Sequence, residues 1–440
     1  MKKGKHSSSK ATTKRSVELN SNDIYSSSGI DIYSSSSVLN KKQKKSGKVF
    51  DIILRVLLIF ECVFLLGIAI YIGKMQLLPM KYIIILTVLI AFVCGMQTFM
   101  RFFRKNRVLL RCLSIFLTII SIGGSYYGAS MLGVLDNGLQ GMANDIFEVE
   151  PKAAKVTTEP FIIYLSGSDT RKVDNIPEKG LSDVNMIIAV DPVKRKLLMI
   201  NTPRDYYVPL WGDENKLDKL THAGSYGTEC SMSTLESLYG IKFNYYVKIN
   251  FKSVVELVDA LGGVTVDSEI AFSSNYGLSR TRHYFKVGKN ELTGDQALAF
   301  ARERKSLAGG DRQRGKHQQM VISAIVDKAI SPSILNVSKF EELLKAVTSN
   351  TKMNISVSEI KALFRMQLDD MRNWKIESFS VDGDGGSGYT YTYPNQSLWI
   401  MRPDQDTIDE AKLKINHFMN QVEPETETKT ESESNKSLQS

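Results

Sequence analysis

Three apolar stretches, Val56–Gly73, Tyr82–Met100 and Cys112–Leu132, follow one another near the start of this 440-residue chain. Each approaches the roughly 20 residues that a helix needs to cross about 30 Å of hydrocarbon. The chain therefore combines a membrane-spanning part with whatever follows it. A long polar segment precedes the first stretch and two more spans come after it, which excludes a cleavable signal peptide.

The flanking cations predict the direction of insertion. Residues 1–48 hold 11 Lys or Arg against three acids. The connection between the second and third spans holds Arg101, Arg104, Lys105, Arg107 and Arg111, whereas only Lys74 and Lys81 separate the first two. The tail and the second loop are expected to be cytoplasmic, and everything after residue 132 extracellular, in a multi-pass protein of the cell membrane. The formal net charge of +9 thus gathers beside apolar segments, which favours membrane lipids over nucleic acid as its partner. Glu61 stands inside the first span, where a carboxylate is costly and often functional. A helix-packing role for it weighs as much.

The expected organisation is a disordered, basic, Ser-rich cytoplasmic tail (1–55), three spans (56–132) and a spacer (133–159). A catalytic domain (160–385), a C-terminal extension (386–422) and a disordered polar tail (423–440) follow. Four cysteines exclude a disulfide scaffold, and the absence of a CxxC pair excludes a thiolate zinc site. Cys230, outside the apolar runs, reads as a buried small hydrophobe.

Beyond the spacer, strand and helix patterns alternate. Phe161–Leu165, Met186–Val190, Leu197–Ile200, Phe243–Ile249 and Val264–Val266 read as strands. Val254–Leu261, Gly294–Arg302 behind a Thr293 cap, Arg312–Ile330, Lys339–Val347 and Val357–Met371 read as helices, with a last strand near Trp374–Val381. This predicts an α/β fold with helices on both faces of one sheet. The glycine-rich stretch Asp382–Gly388 reads as a surface turn.

No nucleophile elbow, Walker A loop, HExxH or helix-opening GxGxxG is present, and the five histidines show no metal-ligand spacing. Arginine density stands out instead. Arg302, Arg304, Arg312 and Arg314 fall within thirteen residues that leave one helix, cross Gly309–Gly310 and enter another. Guanidinium forks bind phosphate oxygens bidentately, and a helix N-terminus adds its positive dipole end. Gln318 shares a helical face with Arg314. A solvated surface with Glu303 and Asp311 as ion-pair partners is the competing reading. Asp169 after the first strand and Asp183 before the second can meet in a crevice, where hard oxygen ligands suit Mg²⁺ held with substrate phosphates. Arg204, after the third strand, can reach the same edge.

These residues resemble the LytR-CpsA-Psr family of Gram-positive cell-wall ligases over about Phe161–Ile330. The resemblance rests on Gly167-Ser168-Asp169-Thr170, Ser182-Asp183-Val184-Asn185-Met186, Thr202-Pro203-Arg204-Asp205, Leu220-Thr221-His222-Ala223 and Leu261-Gly262-Gly263-Val264. It continues through Leu292–Leu298, Ala301-Arg302-Glu303-Arg304 and Gly310–Gln318. The three spans resemble its capsule-associated branch. The resemblance implies an α/β/α sandwich with a central mixed sheet and a hydrophobic tunnel for a polyprenyl chain. It implies transfer of a glycan from a polyprenyl-pyrophosphate carrier to peptidoglycan, with a phosphodiester formed and polyprenyl phosphate released. The implied glycan is capsular polysaccharide or another secondary wall polymer, and capsule-assembly membrane proteins are implied partners. By motif, Asp169 and Asp183 would help bind Mg²⁺, with Mn²⁺ as the alternative ion. Arg204, Arg302, Arg304 and Arg314 would grip the pyrophosphate beside Gln318, and Asp311 would orient the arginines. One departure is Leu181, at a position where relatives often carry arginine. It supports the alternative of a non-catalytic scaffold or regulator of polysaccharide assembly. A transcription-regulating role, an older label of the family, is opposed by the expected topology.

Overall fold

A computed structural model of the chain describes residues 28–102, 107–143, 155–169, 176–331, 342–343, 346–347 and 351–420. The outer ends of both tails, including 423–440, lie outside these residues, and most of the expected helix at 339–347 does too. By contacts the chain divides into two units, 1–66 with 92–122 and 67–91 with 123–440.

Three long helices carry the apolar stretches: α1 (Ser28–Met75), α2 (Met80–Phe102) and α3 (Arg107–Ala143). Their parts Val49–Met75, Met80–Met100 and Val108–Val134 are long and apolar enough to cross a membrane. α1 begins at Ser28, inside the tail expected to be disordered, where the lysine run Lys41, Lys42, Lys44 and Lys45 extends a helix already nucleated by the span. α3 likewise runs on into the expected spacer. Within the first unit Glu61 is wholly buried. Gln97 Nε2 donates to its Oε1 at 2.9 Å and Thr118 Oγ1 donates to its Oε2 at 2.8 Å. The carboxyl group therefore ties α1 to both other spans, the helix-packing role.

The second unit is built on a six-stranded mixed sheet, in the order β11-β6-β1-β2-β3-β12. Its strands are β1 (Phe161–Ser168), β2 (Val184–Asp191), β3 (Lys196–Thr202), β6 (Tyr245–Asn250), β11 (Thr351–Met353) and β12 (Lys375–Ser380). β2 is antiparallel to β1 and β3, while β6 and β12 run parallel to β1 and β3. The short pairs β4 (Tyr207–Pro209) with β5 (Leu217–Lys219), β7 (Val264–Ser268) with β10 (Gly288–Leu292), and β8 (Phe272–Ser274) with β9 (His283–Phe285) lie outside the sheet.

Both faces of the sheet are covered, so its central strands are apolar throughout rather than alternating. On one face Ile162, Tyr164, Ile187 and Ile200 pack against α4 (Leu220–Tyr226), α5 (Thr228–Tyr239) and the C-terminal helix. On the other, Leu165, Met186 and Met199 meet Ile322 of a long helix, and Phe161 and Val190 meet Ala362 of a later one. A second core joins α6 (Phe251–Ala260), α7 (Gly294–Arg302) and α8 (Gly310–Ile330) around Phe272, Phe285 and Phe300. α9 (Val357–Asp370) and α10 (Gln405–Asn420) complete the helices. Cys230 is buried, and burial pushes its thiol up to about 11, so it stays protonated and inert.

The turn expected at Asp382–Gly388 is instead β13 (Gly383–Tyr389), paired antiparallel with β14 (Ser397–Pro403). Glycines serve the strand because the partner's side chains lie across it: a Cβ on Gly385 would stand 2.9 Å from the Trp399 ring. The expected boundary at 385 therefore cuts a strand. Ile400, Met401, Ile408, Ala411 and Ile415 of the supposed extension complete the main core.

The domain-side ends of the spans pack on α9. Met75, Leu77 and Leu132 cluster with Ile360 and Phe364, and Lys361 is ion-paired with Asp136. Lys81 pairs with Asp369 at 3.0 Å, and Tyr82 Oη donates to the Leu368 carbonyl at 3.1 Å. α9 is also held at its C-terminal end by Arg195, in the β2–β3 turn, whose Nη2 reaches both Asp370 oxygens at 3.0 Å.

Candidate active site

The antiparallel register of β1 and β2 puts the end of one strand beside the start of the other. Gly167 lies opposite Val184, and the Asp183 N–H donates to the Gly167 carbonyl at 2.7 Å. Asp169 and Asp183 therefore flank one end of the sheet. β3 returns to that same end, since Thr202 lies opposite Asn185, and delivers Arg204 two residues later. Arg204 Nη1 donates to Asp183 Oδ1 at 2.5 Å.

The third contribution comes from the α7–α8 corner. Thr293 and Gln296 form a capping box that starts α7. The helix ends at Arg302, where Glu303 turns to extended backbone. Arg302 Nη2 donates to Asp169 Oδ2 at 3.1 Å and its Nη1 to the Tyr276 carbonyl at 2.6 Å. Its guanidinium lies 4.1 Å from the centre of the Phe251 ring, a cation–π contact that fixes its plane. The first turns of α8 press against the end of β3 at Gly315, where a Cβ would stand 2.4 Å from Asn201 Nδ2. Only glycine permits this approach, which carries Asp311 and Arg314 to the sheet end. Arg314 Nη2 is 2.5 Å from Asp311 Oδ1. Gln318, one turn on, is buried, whereas Arg304 is exposed at the corner.

The charged groups here shift one another in opposite directions. Burial opposes ionisation of Arg204, but Asp205, Asp183 and Asp311 outweigh it and hold its pKa above the usual value. Arg314 is shifted the other way. Burial lowers its pKa, Asp311 works against that, and repulsion from Arg204 and Arg304 adds to the fall. Its Nε–H is buried without a hydrogen-bond acceptor among the described residues. Three guanidinium groups, Arg204, Arg304 and Arg314, thus gather with Asp183, Asp205 and Asp311, and the buried Arg314 N–H is left as a donor suited to an anionic ligand.

Glu303 is not part of a solvated surface. It is 3% exposed and accepts the backbone N–H groups of Arg304 and Ser306, each at 3.0 Å. Burial opposes its ionisation, yet these hydrogen bonds and one from Ser274 hold its pKa below the ordinary value. A depressed carboxylate pKa adds stability above the unfolded-state value and loses it as the pH falls through the folded-state value. Glu303→Gln is therefore expected to flatten the fall in melting temperature between about pH 6 and 3. Thermal melts of both proteins across that range check it.

Arg312 is exposed and bridges from α8 to Asp382 at 2.5 Å, away from the cluster. His317 is wholly buried and stacked 4.9 Å from Phe272; burial lowers its pKa to about 4, so it stays neutral. Leu181 is half exposed and lines a small cavity with Ser166, Ser168 and Thr228. The cation in that cavity is Lys248 of β6, whose Nζ donates to the Pro177 and Glu178 carbonyls at 3.1 and 2.8 Å. Sequence reasoning missed it, although a lysine inside an apolar strand was a visible anomaly. Lys179 is exposed, and Arg171 lies outside the described residues.

A family model described as the LytR_cpsA_psr family matches residues 137–428. The chain belongs to the LytR-CpsA-Psr family. It is 32% identical over 298 residues to the polyisoprenyl-teichoic acid–peptidoglycan teichoic acid transferase TagU of Bacillus mycoides, covering 66% of this chain and 93% of that one. Its identity to the Enterococcus faecalis TagU is 36% over 264 residues, 60% of this chain and 80% of the relative. The crystal structure of gbs0355 from Streptococcus agalactiae superposes with a TM-score of 0.50 at 25% identity, covering 62% of this chain and 92% of that one. These relatives share the α/β/α arrangement and the central mixed sheet of the LytR-CpsA-Psr fold.

Proposed function

We propose that this protein is a phosphotransferase that moves a glycan from a polyprenyl-pyrophosphate carrier to peptidoglycan. The observation that carries the reading is the group of Arg204, Arg304 and Arg314 at one sheet end, with the buried Arg314 Nε–H lacking an acceptor among the described residues. The acceptor hydroxyl attacks the phosphorus that bears the glycan. The new O–P bond forms as the bridging P–O bond breaks, so a phosphodiester is made and polyprenyl phosphate leaves, with the hydroxyl's proton passing to the departing phosphate. Negative charge grows on the leaving phosphate, and guanidinium groups already in place neutralise it without reorganisation. Asp311 orients Arg314, and Arg302, pinned between rings, holds the outer edge of the site.

Among the described residues no three carboxylate, histidine or cysteine side chains converge. Asp169 and Asp183 flank the site's sheet end, and their carboxylate oxygens would suit Mg²⁺ or Mn²⁺ taken up together with substrate phosphates. Such an ion would neutralise phosphate charge. The proposed setting is the outer face of a Gram-positive cell membrane, with the spans holding the domain at its lipid-linked donor. Capsular polysaccharide is the proposed cargo of this three-span form, and a wall polymer such as the teichoic acid of the TagU relatives is the close alternative.

The test uses the full chain in lipid nanodiscs with a polyprenyl-pyrophosphate oligosaccharide, Mg²⁺ and peptidoglycan fragments. Mass spectrometry should find polyprenyl monophosphate and a sugar-linked fragment. Arg304→Ala and Asp183→Ala should each lower the rate at least about 100-fold. Tight donor binding without product, on a donor that a relative turns over, would overturn the reading in favour of a scaffold and point to Leu181.

A further inference from the structure

The arginine-bearing end of the sheet leads into a second surface that the transfer chemistry does not use. Arg312, in the first turn of α8, pairs with Asp382 and donates to the Gly383 carbonyl at 3.1 Å, where β13 begins. Along this hairpin Tyr389, Tyr391 and Trp399 are 62%, 46% and 48% exposed. Two rings from elsewhere connect to Tyr391. Trp211, 39% exposed, stands 5.0 Å from Tyr226, and Tyr226 stands 6.2 Å from Tyr391.

The rings are fixed rather than loose. Trp399 lies over Gly385, where any side chain would collide with it. The Tyr391 N–H donates to the Leu217 carbonyl at 2.9 Å, and the Thr392 N–H donates to Asp218 Oδ2 at 2.7 Å. Asp218 is itself fully buried against His222 at 2.6 Å. Thr392 is thereby clamped between two tyrosines. Exposed aromatic groups held rigid cost solvation without serving the core, a mark of a binding surface.

We propose that Trp211, Tyr226, Tyr389, Tyr391 and Trp399 form a stacking platform for the acceptor glycan strand of peptidoglycan. The flat C–H face of a pyranose carries slight positive charge and meets the negative face of an aromatic ring, while phenol hydroxyls reach the sugar's rim. The platform holds Lys216, 5.1 Å over Trp211, as its cation contact, which suits an uncharged sugar backbone rather than a polymer of phosphates. Naming the strand as acceptor rests on the transfer reaction proposed above.

The full chain in nanodiscs is titrated with glycan strands freed of their stem peptides, following tryptophan fluorescence and sedimentation. The Tyr389→Ala, Tyr391→Ala double variant should weaken strand binding at least about tenfold and raise the acceptor KM, with donor KM and kcat little changed. Trp399→Phe should retain binding. Arg304→Ala should abolish transfer yet bind strands normally, so failure of the platform and failure of the transfer reading are told apart. Unchanged strand binding in the double variant, or equal loss of donor and acceptor affinity, would overturn the assignment. So would a preference of the platform for phosphatidylcholine vesicles or for a phosphate-rich polymer.

Discussion

Arg314→Gln should lower kcat/KM for transfer about 10²–10³-fold, or about 2.7–4 kcal/mol, while the melting temperature holds or rises. Arg314 is a charge the folded protein is poorly arranged to keep. Burial lowers its pKa, Asp311 restores part of it, and Arg204 and Arg304 repel it. Glutamine removes the repulsion, and its amide can still donate to Asp311. Stability and activity should therefore move apart, as they do where a site is strained toward its ligand. Kinetics and thermal melts on one preparation check this. Retained activity with a fall in melting temperature would make Arg314 a structural residue.

Phe300→Ala should cost about 3–5 kcal/mol of stability, the range for deleting a fully buried aromatic side chain. Its ring meets Phe272 and Phe285 at 5.2 Å and His317 at 4.4 Å, and it is wholly buried. It also lies in the last turn of α7, two residues before Arg302. The loss should therefore loosen the corner that carries Arg302 and Arg304. Chemical denaturation of the detergent-solubilised chain measures the first effect, and transfer rates well below the melting transition measure the second. Phe300→Leu, which refills most of the volume, should recover the larger part of both.

The three spans and the central strands were legible because each is a local run of apolar residues between turn signals. α7 was legible through the Thr293 cap at its start and an end expected near Arg302, while its capping partner Gln296 came only with the structure. That Asp169, Asp183 and Arg204 share one sheet edge was expected from their places at strand ends, but the approach of α8 to that edge was not, because it depends on register and close packing. Nothing local says that Gly167 lies opposite Val184 or that Gly315 settles on Asn201. β13 defeated the pattern for another reason. Its glycines carry no alternation, and what makes them a strand is Trp399, Ile400 and Arg402, ten or more residues away. α10 did carry a readable helical spacing in Ile408, Ala411 and Ile415, and was overlooked because the segment was set aside as an extension. The bland reading of Glu303 failed because a carboxylate can be buried when backbone N–H groups meet it.

α9 takes hold of the spans at one end of the sheet, and the arginines stand at the other. β1 alone separates these ends by eight residues, which at about 3.3 Å each is a standoff of about 26 Å. In the proposed reaction the lipid-linked donor must bring its phosphates to the arginine end, and each methylene drawn from a bilayer into water on the way would cost about 0.8 kcal/mol. In that reaction the length of the prenyl tail becomes a term in the choice of donor.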